Sequence, residues 1–266
     1  MGIDFQDPVH RRTYSDRDAD PTWREAVLGL VDPLGVTVVD VGCGGGTYTR
    51  AWHELGAAAV VGVDSSEPIL AEAVRSHGDL PGVDFRPGKA AATGLADRSA
   101  DVVFARALIH HLPDLGAFIR EAARLLRPGG VLLLQDRTPD DVRQPGGVGH
   151  PRGWLFEVFP ELLAVEDGRR PTPAAVAEAL SDWSDVTAAS LWEVRRRYAD
   201  REDYLAEIAQ RTGRSILHEL DDSELDRLVA ELRRRLHEGP VIERDRWTIW
   251  RAVSGGPTRT PPAPAR

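Results

Sequence analysis

The stretch VVDVGCGGGTYTRAW, residues 38–52, decides the fold. An apolar run closes on an acid, Asp40. Glycines then fall at 42, 44 and 46, and a stretch with helical spacing begins at Thr47. Near-continuous apolar runs mark strands buried on both faces. Glycines remove the Cβ atoms that would block a ligand lying on a loop backbone. A helix starting directly afterwards offers unpaired N–H groups to a carboxylate or phosphate. The spacing is not that of the dinucleotide loop G-x-G-x-x-G, because Thr47 takes the last position. An acid before the loop also sits badly beside a pyrophosphate and suits an ammonium group.

Outward from this loop the same alternation repeats. Strands are predicted at 36–42, 58–64, 83–88, 100–107 and 131–136. Helices are predicted at 47–56, 65–78 and 114–130, the second with Ser65 or Ser66 as cap and Pro68 in its first turn. An earlier helix carries Trp23, Val27, Leu30 and Val31. Alternating strands and helices imply an α/β fold, a doubly wound and mostly parallel sheet. Its ligands belong at the carboxyl ends of the strands, just after Asp40, Asp64, Gly88, Ala105 and Gln135. Further strands are expected at 186–194 and 246–253. Helices are expected within 153–165 and 171–183, and near 201–211 and 222–237. The domain reading is an N-terminal helical lid (1–35) and a core domain (36–253). Cap insertions fall at about 137–172 and 197–240, and a Pro- and Gly-rich disordered tail covers 254–266.

A chain of 266 residues, 42% apolar and 28% charged, can bury one sizeable core. Its net charge of −9 argues against nucleic acid and anionic membranes as partners. A small anionic substrate needs only a local arginine or two and stays open. The single cysteine, Cys43, fits a reducing cytoplasm. No apolar N-terminal run suggests a secretory leader, and no stretch approaches about 18 consecutive apolar residues. No His/Cys/Asp/Glu cluster has metal-ligand spacing, so no metal is expected.

The loop together with Asp64, which ends the next strand, resembles the class I S-adenosylmethionine-dependent methyltransferases. The resemblance covers about residues 36–136. VVGVDSS (60–66), GKAAATGLADRSAD (88–101) and RALIHHLPDLGAFIREAARLLRPGGVLLLQD (106–136) match successive family motifs. They lie closest to the small-molecule branch that includes quinone-biosynthesis enzymes. The resemblance implies a seven-stranded Rossmann-like methyltransferase fold with a helical cap, S-adenosyl-L-methionine as cofactor, and methyl transfer to a small acceptor. The NPPY-type motif used on amino groups is absent, which favours O- or C-methylation. By the same resemblance Asp40 orients the methionine end, lined by Gly42, Gly44 and Gly46. Asp64 holds the ribose diol and Ser65 flanks the adenine. Lys89 and Ala90 border the adenine edge, Arg106 lies by the sulfonium, and Tyr14 closes over the cofactor. Lys89, the only lysine in the chain, stands where the family commonly places an acid. An ammonium cannot accept a hydrogen bond from the adenine amino group, so the Ala90 N–H is expected to do the holding.

Each motif also has a plainer reading. His110 and His111 follow the fourth strand and read either as packing residues or as a catalytic base. Asp136, His150 and Trp154 are candidate acceptor contacts, against an ion pair for Asp136 and core packing for Trp154. One of Arg152, Arg169 and Arg170 could meet an anionic acceptor, whereas the runs Arg195–Arg197 and Arg233–Arg235 read as solvated faces. Cys43 reads as packing. Rival functions are a nicotinamide-dependent oxidoreductase, an S-adenosylmethionine-binding sensor, and an enzyme using the sulfonium for non-methyl chemistry. Oligomeric state is open.

Overall fold

The computed structural model describes residues 18–255. Helix α1 (Pro21–Leu28) starts where Asp20 accepts a hydrogen bond from Thr22 N and Pro21 occupies the first turn. Then follow β1 (Thr37–Val41), α2 (Thr47–Glu54), β2 (Ala59–Asp64), α3 (Glu67–His77), β3 (Val83–Pro87) and β4 (Ala100–Arg106). Ser66 caps α3, and Asp114 caps α4 (Leu115–Leu125). Strand β5 (Leu126–Asp136) begins five residues before the expected strand, and α4 ends five residues before the expected helix end. Pro128 and Gly129, at φ +80°, cannot continue a helix, and Leu126 pairs with Ala100 ahead of a register shift.

Next come α5 (Pro139–Val142), α6 (Pro151–Val158), α7 (Leu162–Arg169), α8 (Pro173–Ala179), β6 (Ser184–Tyr198), α9 (Arg201–Ala209), α10 (Asp222–Arg235) and β7 (Val241–Val253). The single helix expected within 153–165 is two, α6 and α7. Pro160 forces Phe159 out of helical geometry, to φ −130° and ψ 74°.

The seven strands form one sheet in the order β3-β2-β1-β4-β5-β7-β6. The first five are parallel, β7 runs antiparallel to β5, and β6 antiparallel to β7. The strand order reverses between β1 and β4, which run parallel, and this opens a crevice above their carboxyl ends. One face of the sheet is covered by a core that includes Val103, Phe118, Leu125, Leu134 and Leu180. The other carries Trp23, Trp52 and Phe104, whose rings meet edge to face 5.7–5.8 Å apart.

Strands β6 and β7 are longer than their apolar patterns suggested. They pair from Ser184↔Val253 to Tyr198↔Val241, whereas β5 meets β7 only from Val131↔Val253 to Asp136↔Thr248. The far halves therefore leave the sheet as a two-stranded ribbon. A third core, built from residues between Val142 and Val241, gathers α6, α7, α9 and α10 against that ribbon. These elements form the cap over the carboxyl edge.

Candidate functional site

A cavity of about 680 Å³ lies over the carboxyl ends of β1, β2 and β4 and under the cap. At its first end is the glycine loop. Gly44 sits at φ +53°, and a Cβ there would meet nothing within 4 Å. This is an open cradle of bare backbone. Gly46, at φ +82°, faces the other way. A Cβ on it would stand 2.9 Å from His77 and 3.0 Å from Phe85, and the residue does not line the cavity. It serves loop packing, contrary to the expectation that it lines the ligand. Gly42 does line the cavity, where a side chain would strike Leu108 at 2.8 Å.

Asp64 is the last residue of β2 and lies in the cavity wall. Its Oδ2 accepts from Gly44 N and its Oδ1 from Ser66 N, both at 2.9 Å. Each oxygen keeps acceptor capacity for a further donor. Ser65 lines the wall beside it. After β3, Lys89 and Ala92 exchange backbone hydrogen bonds of 3.2 and 2.9 Å. The tight turn leaves the Ala90 N–H without a hydrogen bond among the described residues. Lys89 and Ala90 both line the cavity, Lys89 largely exposed.

Asp40 departs from its expected role. It is 2% exposed and absent from the cavity wall, and its Oδ2 accepts from Thr49 Oγ1 at 2.7 Å. It pairs with Gly62 on one side and Phe104 on the other, one residue short of the strand's end. Its carboxylate therefore anchors α2 from behind the loop. Burial pushes its pKa up to about 7; the Thr49 hydrogen bond opposes this, and the charge of Asp64 adds to it.

The middle of the cavity carries the two histidines. His110 Nδ1 lies 2.8 and 2.9 Å from the two carboxylate oxygens of Asp136, and His110 N also donates to Asp136 at 3.3 Å. Asp136 is fully buried. Burial alone would raise its pKa, but His110 and Arg170 outweigh this and hold it below the usual carboxylate range. An ionised carboxylate only accepts, so Nδ1 carries a hydrogen, and in the neutral ring the lone pair then sits on Nε2. The His111 ring lies 3.9 Å from the His110 ring and titrates down at about 4, first through desolvation and then through repulsion by His110. Asp136 stands behind His110 rather than in the wall, so it positions the imidazole instead of meeting an acceptor.

Arg106 ends β4. Its guanidinium lies between the rings of Tyr48, 4.5 Å away, and Trp247, 4.0 Å away, and pairs with Glu193 at 2.6 Å. The far end is rich in arginine. Arg137, Arg152, Arg170, Arg195 and Arg214 line it. Arg195 overturns the reading of its run as a solvated face: its side chain is 9% exposed. Val194 pairs with Arg244 and Arg196 with Glu243, so Arg195 is the extra residue of a β-bulge, a feature that re-aims side chains. Arg169 also lines the cavity and pairs with Glu219 at 2.8 Å.

His150 and Trp154, the other expected acceptor contacts, are not in the wall. His150 hydrogen-bonds Arg244 O through Nδ1 at 2.7 Å and meets Trp192 edge to face. Trp154 is 8% exposed in the cap core beside Phe156 and Phe159. Tyr14 lies outside the described residues. Among the described residues no group of three or more His, Cys, Asp or Glu is placed to hold a metal ion, and no helix is long and apolar enough to cross a membrane.

Residues 39–134 match the family model described as a methyltransferase domain. The chain carries a methyltransferase domain over these residues. A "Ubiquinone biosynthesis O-methyltransferase" of Xanthomonas axonopodis pv. citri is 37% identical over 124 residues, 45% of this chain and 51% of that protein. The protein of the same description from Azorhizobium caulinodans is 35% identical over 102 residues, 38% of this chain and 40% of that protein. The chain thus spans about half or less of the length of the curated relatives it matches. In structure the methyltransferase domain and its cap are similar to an Anabaena variabilis protein described as a methyltransferase from an antibiotic biosynthesis pathway. That likeness has a TM-score of 0.64 at 21% identity and covers 88% of this chain and 98% of that one. They also resemble Haemonchus contortus phosphoethanolamine N-methyltransferase 2 solved with S-adenosyl-L-methionine, with a TM-score of 0.58 at 20% identity, over 96% of this chain and 60% of that one. These two likenesses establish the fold.

Proposed function

We propose that the chain binds S-adenosyl-L-methionine and transfers its methyl group to a small-molecule acceptor, at oxygen in preference to carbon. The observation that carries this reading is one continuous cavity joining a bare glycine cradle and the Asp64 carboxylate to the His110–Asp136 pair. The residues fit the cofactor. Gly44 leaves room for the methionine end, Asp64 retains acceptor capacity for a diol, and the Ala90 N–H is free for an adenine ring nitrogen. Lys89 contributes its stem at the ring edge with its head in water.

When bound, the sulfonium supplies an already activated methyl group. The protein's remaining task is to align the acceptor and exclude water. His110 Nε2 takes the proton of an acceptor hydroxyl, and Asp136 stabilises the resulting imidazolium through Nδ1. His111, neutral above about pH 4, neither competes as a base near neutrality nor adds charge beside the sulfonium. The small acceptor, the cytoplasm as compartment, and the absence of a nucleic-acid partner belong to the same reading. Support comes from the cap-covered cavity, the lone buried Cys43 and the net charge of −9.

Calorimetry with S-adenosylhomocysteine and with NAD tests the cofactor, and tighter NAD binding sinks the reading. Labelled methyl transfer into a metabolite extract tests the activity. His110→Ala is expected to lower kcat by about 10²–10³-fold with cofactor affinity unchanged. An unaltered rate would remove His110 from the chemistry.

A further inference from the structure

The geometry points to an anionic acceptor, one whose carboxylate or phosphate is held by Arg137 at the cap end of the cavity. This rests on the methyl-transfer reading and names the substrate class for it. Arg137, Arg152, Arg169, Arg170, Arg195 and Arg214 line that end, against one carboxylate there, Asp245; the other carboxylate of the wall, Asp64, belongs to the glycine-loop end. The other counter-charges stand behind the arginines rather than in the wall. Arg195 and Arg214 pair with Glu243 at 2.8 and 2.5 Å, and Arg170 pairs with Glu166 at 2.6 Å. An inner layer of guanidinium backed by an outer layer of carboxylate presents positive potential to whatever enters.

Arg137 differs from its neighbours. It is 2% exposed, its nearest counter-charge Asp245 lies beyond 4.0 Å, and its Nε and Nη2, both closed off from the surface, have no hydrogen-bond partner among the described residues. Nε and Nη2 form the edge that Arg75, Arg170 and Arg234 each present to a glutamate in this same chain. That edge matches two oxygens side by side. A buried guanidinium without a partner is costly, and neighbouring Arg152 relieves nothing. Arg152 stands 3.7 Å from Glu166 and 3.8 Å from Asp245, too far for hydrogen bonds, with its own Nε unpartnered. Both belong to one wall, so a single oxyanion entering there, met by the Arg137 guanidinium turning its fork to the cavity, would partner Arg137 and complete Arg152. Position supports this: Arg137 directly follows the carboxyl end of β5, one residue after the Asp136 that orients His110. An acceptor anchored at Arg137 thus extends past His110 towards the glycine loop.

The test uses the full chain saturated with S-adenosylhomocysteine and three probes: benzoate, phenyl phosphate and neutral benzamide, each titrated by calorimetry. At least one anion is expected to bind about tenfold or more tightly than benzamide. Arg137→Met is expected to bring the two within about threefold, with S-adenosylhomocysteine affinity unchanged. Benzoate ahead of phenyl phosphate assigns a carboxylate, and the reverse order a phosphate. The inference is overturned if benzamide binds as tightly as both anions, if neither anion binds up to about 10 mM, or if the preference survives Arg137→Met. Should that variant fail to fold, Arg137→Lys decides. It keeps the charge and loses the fork, so an undiminished preference there overturns the assignment. Failure to bind S-adenosylhomocysteine at all would instead refute the methyl-transfer reading.

Discussion

Asp40→Asn removes a buried charge while keeping an oxygen that can accept from Thr49 Oγ1, and the consequence should depend on pH. Burial raises the Asp40 pKa from 3.8 to about 7. Between these values the native state holds a proton that the unfolded chain releases, so native stability falls as pH rises from about 4 to 7. Linkage with these two pKa values makes wild type roughly 2.5 kcal/mol more stable at pH 5 than at pH 8 through this one group. The amide of the variant cannot titrate. Urea unfolding of both proteins at the two pH values gives four stabilities. The advantage of Asp40→Asn over wild type at pH 8 should shrink by roughly 2.5 kcal/mol at pH 5. Taking the difference cancels His77, His111 and His150, whose lowered pKa values oppose Asp40 over the same range in both proteins. A difference that stays constant within about 0.5 kcal/mol would refute the assignment of a protonated, buried Asp40. Because Asp40 lies behind the loop, affinity for S-adenosylhomocysteine should change less than about threefold; a larger loss would restore a direct contact.

Three further outcomes follow from the same contacts. Asp64→Asn can accept from Gly44 N or Ser66 N but not both, and the displaced N–H then faces an amide NH₂. Cofactor affinity by calorimetry should fall about 10- to 100-fold, and an unchanged value would place the diol elsewhere. Gly46→Ala forces a Cβ to within 2.9 Å of His77 at positive φ, so urea unfolding should report a loss of about 1–3 kcal/mol. Glu243→Gln strips the shared carboxylate from Arg195 and Arg214 and should cost about 3–5 kcal/mol near neutral pH. Glu243 titrates down at about 2, so its contribution is present above the unfolded carboxylate range and fades as pH falls towards 2. The gap between the two proteins should close in acid.

How far the sequence carried the structure is clearest in its two strand-end aspartates. Both follow apolar runs, and both read as ligand contacts. Asp64 closes β2 and opens onto the crevice. Asp40 sits one residue inside β1, clamped between β2 and β4, and the pleat turns it away. An apolar run read in one dimension does not resolve that single residue of depth. The glycines divide likewise: Gly44 faces open space and Gly46 a wall of aromatic packing, although the loop motif treats them alike. The parallel half of the sheet was legible because each strand and helix announces itself by local period and cap. The cap was less so, since Pro160 splits a helix whose apolar pattern runs through it.

The arginine end shows why the acceptor was the least legible part. Its members are scattered between positions 137 and 214 in a chain that uses almost no lysine, so nothing local marks them out from its many other arginines. What separates Arg195 from Arg196 and Arg197 is a bulge, visible only once β6 is set against β7. That ribbon also explains how an ordinary sheet acquires an acceptor site. Where β7 runs past the end of β5 it has no inner neighbour, so its residues turn towards the cavity. Asp245 and Trp247 reach the wall there, with Arg195 from the paired strand. One signal was available in one dimension. Ligands gather just past each strand's carboxyl end, and Arg137 is the first residue past β5. A buried cation in that position, with no carboxylate in hydrogen-bond reach, is a stability cost that a bound anion would offset.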